Sequence, residues 1–328
     1  MIGLDLEKLS AYLDMGPLTG ELIAGGKSNL TYRVVAGQEE LIVRRPPLGH
    51  VLATAHDMAR EHRIITALGP TGVPVPRTIA LCTDESVIGA PFYVMEFVNG
   101  AIYRTSAATA AVGRQRLEAI TDSLMRVLAT LHAVDPASVG LGDFGRPEGY
   151  LQRQLTRWRK QLDASRSRPL PGIDELHAKL EKAVPPTKHI GIVHGDYRLD
   201  NVIVDEASDE VAAVLDWEMS TLGDQLADLG LLLMYWERLV LGDGLFGEPP
   251  PGAEFPADLA EKYASHSGVD LGRLGWYVAF ANFKLAVIAE GIHFRYISGK
   301  TVGQGFERVG EGVPRLVARG HELLASEE

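Results

Sequence analysis

Apolar positions along this chain recur with two periods. Leu6, Leu9 and Leu13 stand at helical spacing and predict a short amphipathic helix at the start. Leu22–Ala24, Thr31–Val35 and Leu41–Arg45 predict three antiparallel strands, separated by a Gly-Gly step and a polar turn at Gly37–Glu40. Thr54–Leu68 predicts a helix. Met58, Ile65 and Leu68 form its apolar stripe, and Glu61 falls on the same stripe. Pro74 and Pro76 break the chain; Ile79–Cys82 and Pro91–Phe97 then predict two more strands, followed by a joint at Val98-Asn99-Gly100. Beyond it the pattern turns helical over Ala110–Ala133, Tyr150–Ser165 and Ile173–Ala183. Short strands return at 190–193, 202–204 and 211–217. The remainder, Leu226 to Ser326, reads as mostly helix around a Gly/Pro-rich loop at 242–252. No internal repeat is visible. This order predicts an α+β chain of two lobes, a small β-rich one over residues 1–98 and a larger, mostly helical one over 99–328.

Composition narrows the function classes. The chain has 328 residues with a net charge of −11. That balance is opposite to the basic footprint of sequence-independent nucleic-acid binding, so no nucleic-acid partner is expected. An acidic surface is compatible with a cationic substrate, but more often serves solubility. One cysteine, Cys82, excludes an intramolecular disulfide and reads as a small buried hydrophobe. The first residues carry Asp5 and Glu7 and lack a basic region before an apolar one, so no signal peptide is expected. The longest apolar run, Leu229–Trp236, falls short of the roughly 20 residues a membrane span needs. A cytoplasmic protein with no membrane partner is the expectation.

The chemistry concentrates in HGDYRLDN, residues 194–201, set between the apolar runs 190–193 and 202–204. Asp196 and Asn201 are five residues apart, and Asp216 comes fifteen residues later in AAVLDWE, after a second apolar strand. A turn over Glu206–Asp209 makes those strands a hairpin that can bring Asn201 and Asp216 to one open end. Two oxygen ligands there suit Mg²⁺, which keeps waters and binds phosphate oxygens. Asp196, just ahead of the hairpin, can then reach a substrate hydroxyl. Arg198 is the local candidate for positive charge on a transferring phosphoryl group.

HGDYRLDN followed by LDWE resembles the H-x-D-x-x-x-x-N kinase motif in its aminoglycoside phosphotransferase form, a protein-kinase-like family. The resemblance runs through the whole chain. It implies that residues 1–98 are a nucleotide-binding lobe ending in a hinge, and that 99–328 carry catalysis and acceptor binding. LIVRR resembles the strand whose basic residue meets nucleotide phosphates, which singles out Arg44. REHRIITAL resembles the helix bearing its carboxylate partner, Glu61. FYVMEFVNG resembles the hinge that reads adenine, around Glu96, Phe97 and Val98. GDQLADLG resembles the start of the following helix, with Asp224 and Asp228 as caps or braces. Several stretches, among them YLQRQLTRWRKQ and FANFKLAVIAEGIHFR, are most similar to the kinase-like domain attached to some acyl-CoA dehydrogenases. ATP and Mg²⁺ are the implied cofactors, and a small hydroxylated molecule the implied acceptor.

This sequence departs from protein-kinase patterns in three places. The glycine loop is replaced by AGGKSN, where Gly25, Gly26 and Ser28 offer backbone N–H groups and a hydroxyl to phosphates. The strand lysine is Arg44, which binds phosphate oxygens in a fork. DFG becomes Asp216-Trp217-Glu218, which argues against an activation switch. Each functional assignment has a plainer counterpart. Arg198 can be a salt bridge to Asp200, His194 a hydrogen-bonded brace of its loop, and Arg153, Arg157, Arg159 and Lys160 a solvated helix face. Three functions remain open: a kinase of hydroxy-acids or hydroxyacyl-CoA, a kinase of aminoglycosides or other cationic metabolites, and a nucleotide-binding scaffold. Basic residues from 153–160 at the acceptor favour the first, and carboxylates such as Glu237 or Asp243 the second. The sequence leaves oligomeric state and ATP-versus-GTP preference open.

Overall fold

The computed structural model describes residues 1–23, 29–48, 56–242, 246–299 and 306–327. They form two units. One comprises Met1–Ala101, Val202–Asp205 and Val211–Glu218; the other comprises Ile102–Asn201, Glu206–Glu210 and Met219–Glu328.

The first unit opens with α1 (Leu6–Leu13), capped by Asp5, whose carboxylate accepts from the Lys8 N–H. Strands β1 (Leu18–Leu22), β2 (Leu30–Ala36) and β3 (Glu39–Arg45) follow, then α2 (Met58–Leu68), β4 (Thr78–Cys82), a single turn α3 (Glu85–Ile88) and β5 (Phe92–Glu96). The five strands form one antiparallel sheet in the order β1-β2-β3-β5-β4. Tyr32 and Val34 of β2, Val43 of β3 and Phe92 and Val94 of β5 are buried with Leu4 and Leu9 in its core. The first strand ends at Leu22, where the apolar residues suggested that it would begin; residue 24 of the expected run lies outside the described ones. Leu18 and Leu22 bracket a strand whose middle is Thr-Gly-Glu, and its partner β2 carries the burial instead. The helix expected from Thr54 begins at Met58, because the Asp57 side chain accepts from the Arg60 N–H and sets its start; residues 54 and 55 lie outside the described ones.

The second unit carries α4 (Ser106–Ala110), α5 (Arg114–Ala133), α6 (Tyr150–Ser165), α7 (Ile173–Lys182) and β6 (Ile190–Val193). The helix expected over 110–133 starts later, at Arg114, since Gly113 takes φ 86, outside the helical region, and Ala110 ends the separate α4. The hairpin β7 (Val202–Val204) and β8 (Val211–Val214) returns to the first unit, with Val202 opposite Val214. The 211–217 strand is therefore shorter than expected, because Trp217–Met219 turns into a 3-10 helix. Strand β9 (Thr221–Asp224), absent from the sequence reading because it contains Gly223 and a polar end, pairs antiparallel with β6. Helices α8 (Leu226–Leu241), α9 (Leu259–Ser267), α10 (Leu274–Ile297) and α11 (Val313–Ala325) complete the unit. Among the described residues no helix is long and apolar enough to cross a membrane.

Candidate active site

The loop after β6 is built from its backbone outward. Asp228, buried on α8, accepts the N–H of His194 at 2.6 Å and that of Gly195 at 2.8 Å. His132 Nε2 lies 3.5 Å from the same carboxylate, and its Nδ1 sits 2.8 Å from the Tyr263 hydroxyl. Burial alone would raise the Asp228 carboxyl; the partners around it, His132 foremost, hold it below the usual carboxylate value. Gly195 adopts φ 84, and a Cβ there would stand 2.7 Å from the Met219 carbonyl oxygen, so glycine is required. His194 is fully buried, and its Nδ1 accepts the Asp196 N–H at 3.2 Å. Tyr197 fixes the next position by donating to the Leu124 carbonyl at 2.8 Å. His194 and Asp228 are thus braces.

The loop presents Asp196 with its carboxylate already oriented. Asn201 Nδ2 donates at 2.9 Å to both Asp196 Oδ2 and the Asp196 carbonyl. Arg198 Nε lies 3.2 Å from Oδ2. Asp196 Oδ1 has no hydrogen-bond partner among the described residues. Arg198 also pairs with Asp200 at 2.8 Å and lies over the Tyr235 ring, 4.8 Å from its centre. Burial would lower the Arg198 guanidinium, but Asp196 and Asp200 hold it well above its ordinary value. Burial pushes the Asp200 carboxyl up, and Arg198 opposes that. The Arg198–Asp200 salt bridge exists, and Asp196 shares the same cation.

The first unit holds the phosphate-facing candidates. Arg44 lies on β3 opposite Tyr93 of β5. Its Nη2 is 3.3 Å from Glu61 Oε2 and 3.1 Å from Asp216 Oδ1. Glu61, 2% exposed on α2, also accepts from the Tyr93 hydroxyl at 3.0 Å and from Asn29 Nδ2 at 2.8 Å. Burial would lower the Arg44 guanidinium; Tyr93, Glu61 and Asp216 together raise it instead. Burial pushes the Glu61 carboxyl up against the pull of Arg44. Arg44 Nε is buried with no hydrogen-bond partner. Arg45 points to the other face, as strand alternation requires, and donates to the Ile88 and Gly3 carbonyls. Asp216 sits two residues past β8 at φ 64, a left-handed conformation that aspartate tolerates better than most residues. Trp217, anchored by its indole N–H on the Val214 carbonyl at 3.0 Å, holds that turn.

The remaining predicted positions fall out as follows. Glu96 caps β5: its N–H donates to the Arg77 carbonyl at 3.0 Å and its carboxylate accepts the Arg77 N–H at 2.9 Å. The Phe97 N–H is taken by the Glu40 carbonyl at 3.1 Å, whereas the Val98 N–H has no acceptor among the described residues. Gly25, Gly26 and Ser28 lie outside the described residues, as does Asp243. Arg159 pairs with Asp174 at 2.6 Å, while Arg153, Arg157 and Lys160 line an open hollow on α6 with Gln152 and Thr156. Glu237 is tied to Arg319 at 2.9 Å. Tyr93 and the role of Asn29 were not foreseen; the register of β3 on β5 is what places Tyr93 against Arg44.

The donor chemistry fits a hard divalent ion. Asn201 commits its amide nitrogen to Asp196, which leaves Oδ1, and Asp216 Oδ2 has no partner among the described residues. Among those residues no group of three His, Cys, Asp or Glu side chains could hold a metal. An ion at Asn201 or Asp216 would therefore complete its shell with water or phosphate.

The model of the phosphotransferase enzyme family, APH, matches residues 19–265. The chain belongs to that family. It is 33% identical to acyl-CoA dehydrogenase family member 11 of Rattus norvegicus over 336 residues, 97% of this chain and 43% of the rat protein. The chain thus spans less than half the length of that relative. A solved structure from Ralstonia eutropha, described as a candidate aminoglycoside phosphotransferase, is 34% identical, superimposes with a TM-score of 0.86 and covers 98% of both chains. The ternary complex of aminoglycoside phosphotransferase APH(4)-Ia with AMP-PNP and hygromycin B shares the fold, with a TM-score of 0.64 over 98% of this chain and 97% of that one at 12% identity. The α+β, protein-kinase-like fold and the resemblance carried by HGDYRLDN and LDWE are both borne out.

Proposed function

We propose that this phosphotransferase moves the γ-phosphate of ATP to a hydroxyl of a small carboxylate-bearing molecule or its CoA thioester. The observation that carries the reading is Asp196: one carboxylate oxygen is held by Asn201 and Arg198, and the other is open to an acceptor. Asp196 Oδ1 accepts a hydrogen bond from the acceptor hydroxyl, orients it and takes its proton as the oxygen attacks phosphorus. Arg198 positions Asp196 and contributes positive charge near the transferring group. Arg44, kept charged by its partners and with an unused buried Nε donor, binds the α/β phosphates. Glu61 aims Arg44, and the Val98 N–H, ahead of that of Glu96, is the hinge donor to adenine. Gly25, Gly26 and Ser28 offer further phosphate donors. Asn201 and Asp216 would hold Mg²⁺, which when bound offsets phosphate charge.

The choice of acceptor rests on charge. Arg157 and Lys160 line an open hollow with Arg153, whose guanidinium also donates to the Arg146 and Glu148 carbonyls, whereas Glu237 is already neutralised by Arg319. That favours an anionic acceptor over an aminoglycoside. The similarity to a protein named for acyl-CoA chemistry points the same way. A nucleotide-binding scaffold would have no use for an oriented Asp196. The test is Mg²⁺-dependent ATP consumption across hydroxy-acids, hydroxyacyl-CoA esters and aminoglycosides, with Asp196→Asn beside the parent. Turnover is expected with the acidic acceptors, and the variant should lose at least about a hundredfold in kcat, the lower range of a general base. Parent-level turnover by the variant would refute the assignment.

A further inference from the structure

The grip of Asp228 on His194 and Gly195 acts on backbone N–H groups; the carbonyl of the same peptide segment is held from elsewhere. Lys284, partly buried on α10, donates its ammonium to the Gly195 carbonyl at 3.0 Å. Among the described residues that is its one hydrogen-bond acceptor. The ammonium lies 5.5 Å from the centre of the Trp158 ring on α6. It lines a small cavity of about 20 Å³ with Tyr150, Gln154, Gly195 and Asp228. The charged and titratable groups facing it are Asp196 from the loop, Asp228 from α8, and Tyr150 and Arg157 from α6.

We propose that Lys284 is a positioning residue for phosphoryl transfer: its cation clamps the Gly195 carbonyl and so fixes the backbone that carries Asp196. The inference rests on the phosphotransferase reading above and adds a residue to it. Gly195 can rotate more freely than any other residue type, and its φ of 84 is one only a glycine holds without strain. His194 Nδ1 holds the Asp196 N–H on one edge of the 195–196 peptide plane at 3.2 Å, and the Lys284 ammonium holds the Gly195 carbonyl on the other, so that plane is fixed from both edges only when the cation is present. A hydrogen bond from a charged donor is worth more than a neutral one and is the stronger restraint. The ammonium is also a costly group to keep half-buried when a methionine would fill the space. Burial pushes it down from the usual lysine value, with Asp196 and Asp228 pulling the other way. The protonated form makes the clamp, so the contribution is present at neutral pH and lost as pH rises through a value below that of a free lysine.

The experiment compares Lys284→Met, which keeps length without charge, and Lys284→Arg, which keeps charge at all accessible pH. Thermal midpoints and ATP Kd are measured first, then kcat for Mg·ATP turnover between pH 6 and about 10, a range ending near the lysine value. Lys284→Met is expected to bind ATP like the parent, to lose roughly tenfold or more in kcat, and to lack the alkaline fall of the parent profile. Lys284→Arg should recover part of kcat, also without the alkaline fall. A Lys284→Met variant with parental kcat, or one that keeps the parental alkaline fall, overturns the proposal. Amide hydrogen exchange at 194–196 supplies a readout independent of turnover. Faster exchange in Lys284→Met supports the clamp, and unchanged exchange overturns it. A parent protein that consumes no Mg·ATP with any acceptor or with water overturns the phosphotransferase reading instead.

Discussion

Asp228→Asn isolates the energetics of the loop that carries Asp196. The carboxylate is 1% exposed and accepts two backbone N–H groups at 2.6 and 2.8 Å. Asparagine is nearly the same size, so the change removes one acceptor oxygen and the charge without opening a cavity. Its carbonyl can keep one N–H, and its NH₂ then faces the other. A buried donor left without an acceptor costs about 1–3 kcal/mol, with the full effect of losing both, as in Asp228→Ala, about twice that. For a domain of this size 1 kcal/mol lowers Tm by roughly 2–4 °C, so Asp228→Asn should melt several degrees below the parent.

The pH dependence sharpens the test. The Asp228 carboxyl is held below the ordinary aspartate value by His132, His194 and the Gly195 N–H. A depressed carboxyl gives stability that is fully present above the unfolded value of about 4 and is lost as pH falls through the folded one. The stability gap between parent and variant should therefore be flat from pH 5 to 8 and shrink on acidification below about 4. Denaturant titrations of both proteins at several pH values read it directly. A variant as stable as the parent, or a gap that widens in acid, would show that the carboxylate does not bear the loop. Because the same bonds fix Gly195, kcat should fall with stability while ATP Kd stays near that of the parent.

Two further outcomes follow from the Arg44 cluster. Arg44→Ala leaves the buried Glu61 carboxylate without its cation and should destabilise by about 3–5 kcal/mol in denaturant melts, with Arg44→Lys recovering much of it. Removing divalent ions with EDTA should weaken ATP binding by roughly tenfold or more in calorimetric titration; equal affinity with and without Mg²⁺ would contradict the roles given to Asn201 and Asp216.

What could be read from the sequence was what local pattern decides. The strand β3, the helix α6 and the strands β6 and β7 fall where apolar periodicity put them, because their buried faces are continuous. The pairing of Arg44 with Glu61 was legible because LIVRR and REHRIITAL resemble the family's strand and helix that carry it, and because a carboxylate on an apolar stripe requires a cation. The strand β9 was not, since Thr221 and Gly223 carry no strand signature; it exists because β6 offers it a ladder. Tyr93 and Lys284 were invisible for a related reason. Their partners, Glu61 and the Gly195 carbonyl, lie far away in sequence, and only packing brings them together.

The two polar clusters share a charge pattern that bears on function. Each sets one guanidinium against two carboxylates: Arg44 between Glu61 and Asp216, Arg198 between Asp196 and Asp200. As supports for the fold these are poor choices. Desolvating three charges costs more than a well-packed apolar trio would, and the attraction roughly repays it at best. Counted over the directly paired groups, each cluster carries one more carboxylate than cations when its carboxylates are ionised, although the Lys284 ammonium also faces Asp196. That surplus would repel a bare nucleotide, while it attracts a divalent cation and, through it, the phosphates. Asp216 in the first unit and Asn201 in the second each keep an oxygen clear of a protein partner, which suits the Mg²⁺ role proposed for them. Arg44 would then exchange part of its hold on Asp216 for phosphate oxygens while Glu61 keeps it aimed, so that no charge is stranded at any stage.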